Sequence, residues 1–164
     1  MMKLTALLGL ATAFSAADPM AQLTAEARRV GAVNAVVDYR VVWMQDTTAF
    51  DACTVFVAMG RPANFSAVLA PQARRVVASV AGDPCSEGKA LAGQHPSRIV
   101  RVDSVALGDT VGIVVLTVRK GENRVLETYR LRPRSSGLEW GVRDVTLWGA
   151  LRVYARPSRS APRK

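Results

Sequence analysis

The second half of the chain contains four consecutive strand-like segments, and this pattern restricts the fold more than any other feature. The segments are 98–107, 111–119, 124–132 and 138–154. Short turns containing glycine separate them. Neighbouring strands joined by such turns pair antiparallel. The sequence therefore predicts an antiparallel meander. Its second segment is nearly all apolar, so we expect that strand to be central and covered on both faces.

Alternation along the third segment separates an arginine-rich face from an apolar face. Arg130, Arg132 and Arg134 fall on one side of the strand, while Tyr129 and Leu131 fall on the other. A guanidinium group binds carboxylates and phosphates through paired hydrogen bonds. We therefore expect Tyr129 and Leu131 to point into the core, and the three arginines to form a face that is either solvated or faces a ligand, in which case it is a candidate anion-binding face.

The last segment changes phase near its middle. Its apolar residues stand at even positions in Trp140 and Val142, and at odd positions in Val145 and Leu147. A shift of one residue turns every side chain to the other face of a sheet. A β-bulge near Arg143-Asp144 would reconcile the two halves and bend the strand.

Before the meander, the sequence indicates one further strand and one main helix. Branched and aromatic residues alternate along 35–44, which predicts the strand. From Thr48, apolar residues recur at helical spacing until Gly60, a natural helix terminator. A shorter helix is predicted at 72–80. The predicted fold class is α+β, with one main helix packed on a curved antiparallel sheet of about five strands in the order β-α-β-β-β-β.

The N-terminal residues are typical of a secretory signal peptide. A positive start at 1–3 precedes an uncharged apolar stretch at 4–14, and small residues at 15–17 predict cleavage after Ala17. An ordinary N-terminal helix of the fold is the alternative. The apolar stretch is too short to span a membrane, so we expect no transmembrane segment after signal removal. The signal predicts export to the periplasm or the cell exterior.

The remainder divides into three parts by composition. We expect an N-terminal arm or short helix at 18–34, a single α+β domain at 35–155 and a flexible basic tail at 156–164. Residues 117–164 hold 12 basic and 4 acidic side chains, and thus +8 of the chain's net charge of +9. A basic tail can bind an anionic surface. With 6% aromatic residues and no base-stacking motif, the sequence gives no support for nucleic-acid binding.

The two cysteines lie 32 residues apart. In an oxidising compartment Cys53 and Cys85 can form a disulfide bond. The alternatives are two unpaired thiols, or one nucleophilic cysteine activated by His95, the single histidine of the chain. Two cysteines and one histidine cannot build a four-ligand zinc site of the usual kind. We expect neither a metal nor a cofactor.

The element order and the end of the meander resemble the cystatin-like roll and its relative, the nuclear-transport-factor-2-like cone. The residues concerned are Tyr129-x-Leu131, the Ser-Ser-Gly turn at 135–137 and Trp140-x-Val142-x-Asp144. The resemblance covers roughly 35–154. It implies a cavity between the helix and the concave face of the sheet. Protease inhibitors of this group carry a Gln-x-Val-x-Gly hairpin, which is absent from this sequence.

Two functions follow from these observations. The first is an exported, non-catalytic binding or accessory protein that uses its curved sheet to hold an unidentified ligand or partner. The second is implied by the resemblance to the cone-shaped enzymes, which often place an Asp–His pair in the pocket. Here that pair would be Asp38 and His95, in an enzyme of the isomerase, dehydratase or hydrolase type.

Overall fold

The computed structural model describes residues 18–77, 83–86 and 98–152. The predicted signal peptide, His95 and the basic tail at 156–164 lie outside the described residues, and the predictions made for them stay predictions. No helix of the described part is long and apolar enough to cross a membrane.

The longest element is helix α1, Pro19–Val42. Asp18 caps it, because its carboxylate accepts a hydrogen bond from the Met20 N–H at 3.0 Å. Pro19 occupies the first turn, where its missing N–H costs nothing. The buried residues recur at helical spacing, so one stripe of the helix faces the sheet. They are Ala32, Val33, Val36, Val37 and Arg40.

The strand predicted at 35–44 is wrong, because residues 35–42 form the last two turns of α1. Paired valines such as Val36-Val37 satisfy a helical period as well as a two-residue period. Burial distinguishes the two. The strand pattern puts Val37 and Trp43 on one face, yet Val37 is fully buried and Trp43 is 75% exposed. The segment expected as an arm at 18–34 is continuous with this helix.

Five strands form one sheet in the order β1-β2-β3-β4-β5. The two-residue strand β1 pairs parallel with β2, and every other pair is antiparallel. Between β1 and β2 the described residues form three short helices. The elements are β1 (Ala49–Phe50), α2 (Ala52–Ala58), α3 (Phe65–Val68), α4 (Pro71–Val76), β2 (Arg98–Leu107), β3 (Gly112–Lys120), β4 (Asn123–Pro133) and β5 (Trp140–Arg152). The predicted α+β class with a five-stranded, mostly antiparallel curved sheet is confirmed.

The main helix is α1, whereas the sequence placed it after Thr48. The Asp51 carboxylate caps α2 by accepting hydrogen bonds from the Cys53 and Thr54 N–H groups. The residues before Asp51 extend the sheet instead, and this shortens the predicted helix to seven residues. Gly60 follows the helix with φ +88°, as expected of a glycine terminator.

A disulfide bond joins Cys53 on α2 to Cys85, with a Cα–Cα distance of 4.8 Å. It connects α2 to the described segment 83–86. The predicted pairing is thus confirmed, and neither cysteine is left as a free thiol. Disulfides persist in oxidising compartments, so the bond is compatible with export.

The register of β4 and β5 confirms the predicted bulge. Arg130 pairs with Asp144 and Leu131 pairs with Val142, which leaves Arg143 as the extra residue on β5. The slip turns Val145 onto the same face as Val142, toward the helix.

The core fills the space between α1 and the sheet. Tyr129 and Leu131 are fully buried there, as predicted, together with Val36, Val114 and Leu116. The small void lined by valines of α1 and residues of β1–β3 has no room for a water molecule. The cavity implied between helix and sheet is therefore occupied by packed side chains.

Candidate functional site

A groove of about 860 Å³ lies beside the core, between α1 and the end of the β4–β5 hairpin. Pockets of this size hold small organic ligands. One wall is a single face of α1, and the other is the end of β4, the connecting turn and the start of β5. The α1 wall contains Gly31, Asn34, Ala35, Asp38, Tyr39, Val42 and Trp43; the facing wall contains Arg132, Arg134, Glu139, Trp140, Gly141 and Val142.

The two walls are fixed to each other at Gly31 and Trp140. A Cβ atom on Gly31 would lie 2.2 Å from the Leu138 carbonyl oxygen, so only glycine permits this approach. Trp140 is 4% exposed, and the Arg28 guanidinium carbon lies 5.4 Å from its ring centroid. This distance is typical of a cation–π contact. The two walls of the groove are therefore in direct contact at this end.

Asp38 is a half-buried acid of the groove. Its Oδ1 atom is buried and has no hydrogen-bond partner within the described part of the chain. Burial raises the pKa of the Asp38 carboxyl above its usual value, because a charged carboxylate is poorly solvated there. A partly desolvated titratable group with a perturbed pKa in a cleft is characteristic of functional sites.

Trp140 contributes a second unused polar group. Its indole Nε1 is buried and makes no hydrogen bond to any described residue. Buried donors in native proteins are almost always paired. The Trp140 Nε1 donor and the Asp38 Oδ1 acceptor, both without a partner among the described residues, thus belong to residues that line the same groove.

The facing wall carries positive charge. Arg132 and Arg134 are exposed and form no ion pair with another described residue. Glu139 lies on the same wall and offsets part of their charge. Apolar surface from Val42 and Val142 adjoins these polar groups. The arrangement suits a ligand with an anionic end and an apolar body.

The structure divides the predicted anion-binding face. Arg132 and Arg134 line the groove, whereas Arg130 lies outside it and forms an ion pair with Asp144 at 3.9 Å. All three side chains are exposed, as expected. Of the predicted Asp–His pair, Asp38 lines the groove from a helix and not from a strand. His95 lies outside the described residues, so its pairing with Asp38 stays a prediction.

No protein-family model matches the chain, and no curated protein or solved structure is significantly similar to it. The resemblance to the cystatin-like roll stays a prediction, and the first strand of the element order behind it, predicted at 35–44, lies largely in α1. Within the described residues, no three His, Cys, Asp or Glu side chains come together to hold a metal ion.

The sequence interpretation missed a buried polar network next to the groove. Arg40 on α1 is fully buried, and its guanidinium donates to the Glu127 carboxylate, to the Tyr129 hydroxyl at 2.9 Å and to the Asp46 carboxylate. The Tyr129 hydroxyl in turn donates to Glu127 at 2.7 Å. Burial and the hydrogen bond to Glu127 raise the pKa of Tyr129 far above its usual value. The network ties the last turn of α1 to the middle of β4.

A signal for this network was present in the sequence. Glu127 shares the inward face of β4 with Tyr129 and Leu131, and Arg40 continues the stripe of Val33 and Val36 along α1. A charged residue on each of two buried faces predicts that the two charges pair, because an isolated buried charge is strongly unfavourable.

Proposed function

We propose that this protein is an exported, non-catalytic binding protein that holds an amphipathic organic anion in the groove between α1 and β5. The observation that supports it best is that two arginines with no ion pair to a described residue adjoin the apolar and aromatic surface of one ligand-sized groove. Ligand pockets are typically apolar with a few convergent polar groups.

Each wall has a distinct part in this binding mode. Arg132 and Arg134 bind the carboxylate or sulfate of the ligand with charge-assisted hydrogen bonds. Val42, Trp43 and Val142 cover its apolar body. Trp43 is 75% exposed in the free protein, so a bound ligand would remove part of this apolar surface from water.

Asp38 adjusts this binding through its charge. A carboxylate repels an anionic ligand, whereas the protonated carboxyl does not and has a proton to donate. Because burial raises its pKa, Asp38 becomes neutral at a higher pH than an ordinary aspartate.

Export is the second half of the proposal. The Cys53–Cys85 disulfide supports it, because such bonds are rare where thiols are kept reduced. The N-terminal residue of the purified exported chain tests it directly: an N-terminus at Asp18 agrees with cleavage after Ala17, and retention of Met1 in exported material contradicts the signal.

The ligand proposal is tested by titrating decanoate and 1-decanol and following tryptophan fluorescence. The two ligands share an alkyl chain and differ in the anionic group. We expect decanoate to bind more tightly than 1-decanol, and Arg132→Gln with Arg134→Gln to remove the difference. Arg130→Gln, which alters an arginine outside the groove, is the matched control and should bind like the wild type. Equal binding of decanoate by all proteins would contradict the proposal.

The enzyme remains a second candidate because Asp38 is a half-buried acid with a raised pKa, as expected of a general acid or base. One substrate class tests each reaction type: activated esters test a hydrolase, β-hydroxy carbonyl compounds a dehydratase and β,γ-unsaturated ketones an isomerase. Turnover that disappears in Asp38→Asn, with the fold intact by circular dichroism, would favour catalysis over simple binding. Turnover unchanged by that substitution would remove Asp38 from any mechanism.

A further inference from the structure

A second concavity, of about 360 Å³, lies on the face of the sheet opposite to α1. Val100 and Val102 on β2 point into the core. Arg101 and Asp103 alternate with them along the strand and therefore project from the other face. Arg119 on β3 and Arg124 on β4 line the same concavity. Three strands thus bring three arginines together on an open sheet surface.

The arrangement of these arginines is unfavourable on its own. Arg119 stands directly opposite Arg124 in the β3–β4 register, and like charges in that position repel each other. Arg101 is paired with Thr117, two residues from Arg119 along β3. None of the three forms an ion pair with a described residue. Arg119 makes only a long hydrogen bond, from Nε to the Gly121 carbonyl at 3.4 Å.

The two acids of the concavity are already engaged in hydrogen bonds. Asp51 uses its carboxylate to cap α2 through the Cys53 and Thr54 N–H groups. Asp103 accepts a hydrogen bond from the Thr117 hydroxyl at 2.5 Å. Among the described residues neither acid forms an ion pair with an arginine, and apart from Arg119 Nε the donors of the three guanidinium groups have no partner there.

From this geometry we propose a binding site for a tetrahedral oxyanion, a phosphate group, between Arg101, Arg119 and Arg124. A phosphate between opposed guanidinium groups replaces repulsion by charge-assisted hydrogen bonds, for which the planar arginine fork is well suited. The site shares no lining residue with the groove and does not depend on the function proposed for the groove.

The experiment titrates inorganic pyrophosphate into the protein by calorimetry at low salt. The test variant is Arg119→Gln with Arg124→Gln. The control is Arg29→Gln with Arg75→Gln, which removes two exposed arginines from α1 and α4 and changes the net charge by the same amount. We expect the test variant to lose at least tenfold in affinity, the typical consequence of losing charged hydrogen bonds. The control should stay within about twofold of the wild type, since exposed charges far from a ligand are largely screened.

Three further measurements keep the result unambiguous. Circular dichroism checks that the test variant is folded. The variant Arg119→Lys with Arg124→Lys keeps both positive charges but lacks the planar guanidinium fork. We expect its affinity for pyrophosphate to lie between those of the wild type and the test variant. Vesicles of phosphatidic acid in phosphatidylcholine, against phosphatidylcholine alone, distinguish a lipid headgroup from free phosphate as the source. Equal loss in the test and control variants, or wild-type binding by the test variant in both assays, would overturn the proposal.

Discussion

Arg40 and Glu127 form an ion pair in the protein core although 87 residues separate them in the chain. Their side chains are 1% and 7% exposed. The pair joins α1 to β4 next to the groove, and the Tyr129 hydroxyl completes it. Loss of Glu127 would leave the buried Arg40 charge with only the half-buried Asp46 as its counter-ion among the described residues. The position of α1, and with it one wall of the groove, therefore depends on this contact.

The first prediction concerns the Arg40–Glu127 pair. Glu127→Leu should lower the free energy of unfolding by about 3 kcal/mol, because the Arg40 charge loses a buried partner. Arg40→Met combined with Glu127→Leu should recover part of that loss. Urea denaturation measures both. Arg130→Gln, which breaks the exposed pair with Asp144, is the control and should cost less than about 1 kcal/mol. Similar losses in Glu127→Leu and Arg130→Gln would contradict the assignment.

The disulfide leads to the second prediction. Reduction of the Cys53–Cys85 bond, or replacement of both cysteines by alanine, should lower the free energy of unfolding by about 3–4 kcal/mol. The bond closes a loop between residues 32 positions apart, and it therefore restricts the conformations of the unfolded chain. Thermal unfolding with and without reductant measures the difference. The alanine variant is the control, and reductant should leave its midpoint unchanged. An equal shift in both proteins would show that the reductant acts elsewhere.

The third prediction is an acid dependence of stability through Asp46. Burial alone would raise the pKa of this carboxyl, but hydrogen bonds from Thr48 and the charge of Arg40 outweigh it and hold the pKa below its usual value. The folded protein thus binds this proton more weakly than the unfolded chain does. The stabilisation is complete above the ordinary pKa of an aspartate, about 3.9, and is lost as the pH falls through the lower folded pKa.

Asp46→Asn tests this dependence. The measurement is urea denaturation between about pH 3 and pH 6, a range that includes the ordinary pKa of an aspartate. Acidification over this range should lower the stability of the variant less than that of the wild type. Parallel curves for the two proteins would exclude Asp46 as a source of the acid sensitivity.

Gly31 gives the fourth prediction. Alanine is about 1 kcal/mol better than glycine inside an ordinary helix, yet here its Cβ would lie 2.2 Å from the Leu138 carbonyl oxygen. Gly31→Ala should therefore destabilise the protein by about 1–3 kcal/mol, the usual range for overpacking, and weaken decanoate binding by moving the groove walls apart. A gain in stability would show that α1 does not approach the β4–β5 turn this closely.

The fifth prediction concerns the pH dependence of ligand binding. Protonation of Asp38 removes a negative charge from the groove, so decanoate affinity should rise as the pH falls through the raised pKa of this carboxyl. The range examined must stay above the pKa of the ligand itself. Asp38→Asn should bind with an affinity that is independent of pH over the same range. A pH dependence that survives in Asp38→Asn would assign the effect to another group.

The meander and its bulge were predictable because their signals are local. Tyr129 and Leu131 alternate with arginines, and the phase change at Arg143 gives the bulge directly. The identity of the segment before Thr48 was not predictable in this way, since Val36-Val37 fits both a helix and a strand. The capping of α1 by Asp18 and its packing on the sheet decide that choice.

The groove depended on contacts that sequence periodicity does not contain. Asp38, Arg132 and Arg134 were singled out as separate features, and they share one groove because α1, misassigned in part as a strand, crosses the end of the β4–β5 hairpin. The close approach at Gly31 brings these walls together. It depends on Leu138 and Trp140, which are more than 100 residues away in the chain.

The most direct test of the proposed function is a crystal structure of the protein with decanoate carrying a terminal bromine atom. Anomalous scattering then locates the end of the alkyl chain independently of the protein density. We expect the carboxylate beside Arg132 and Arg134 and the bromine near Val42 and Trp43. A bromine position outside this groove, or an empty groove at saturating ligand, would contradict the proposal that the groove binds an amphipathic anion.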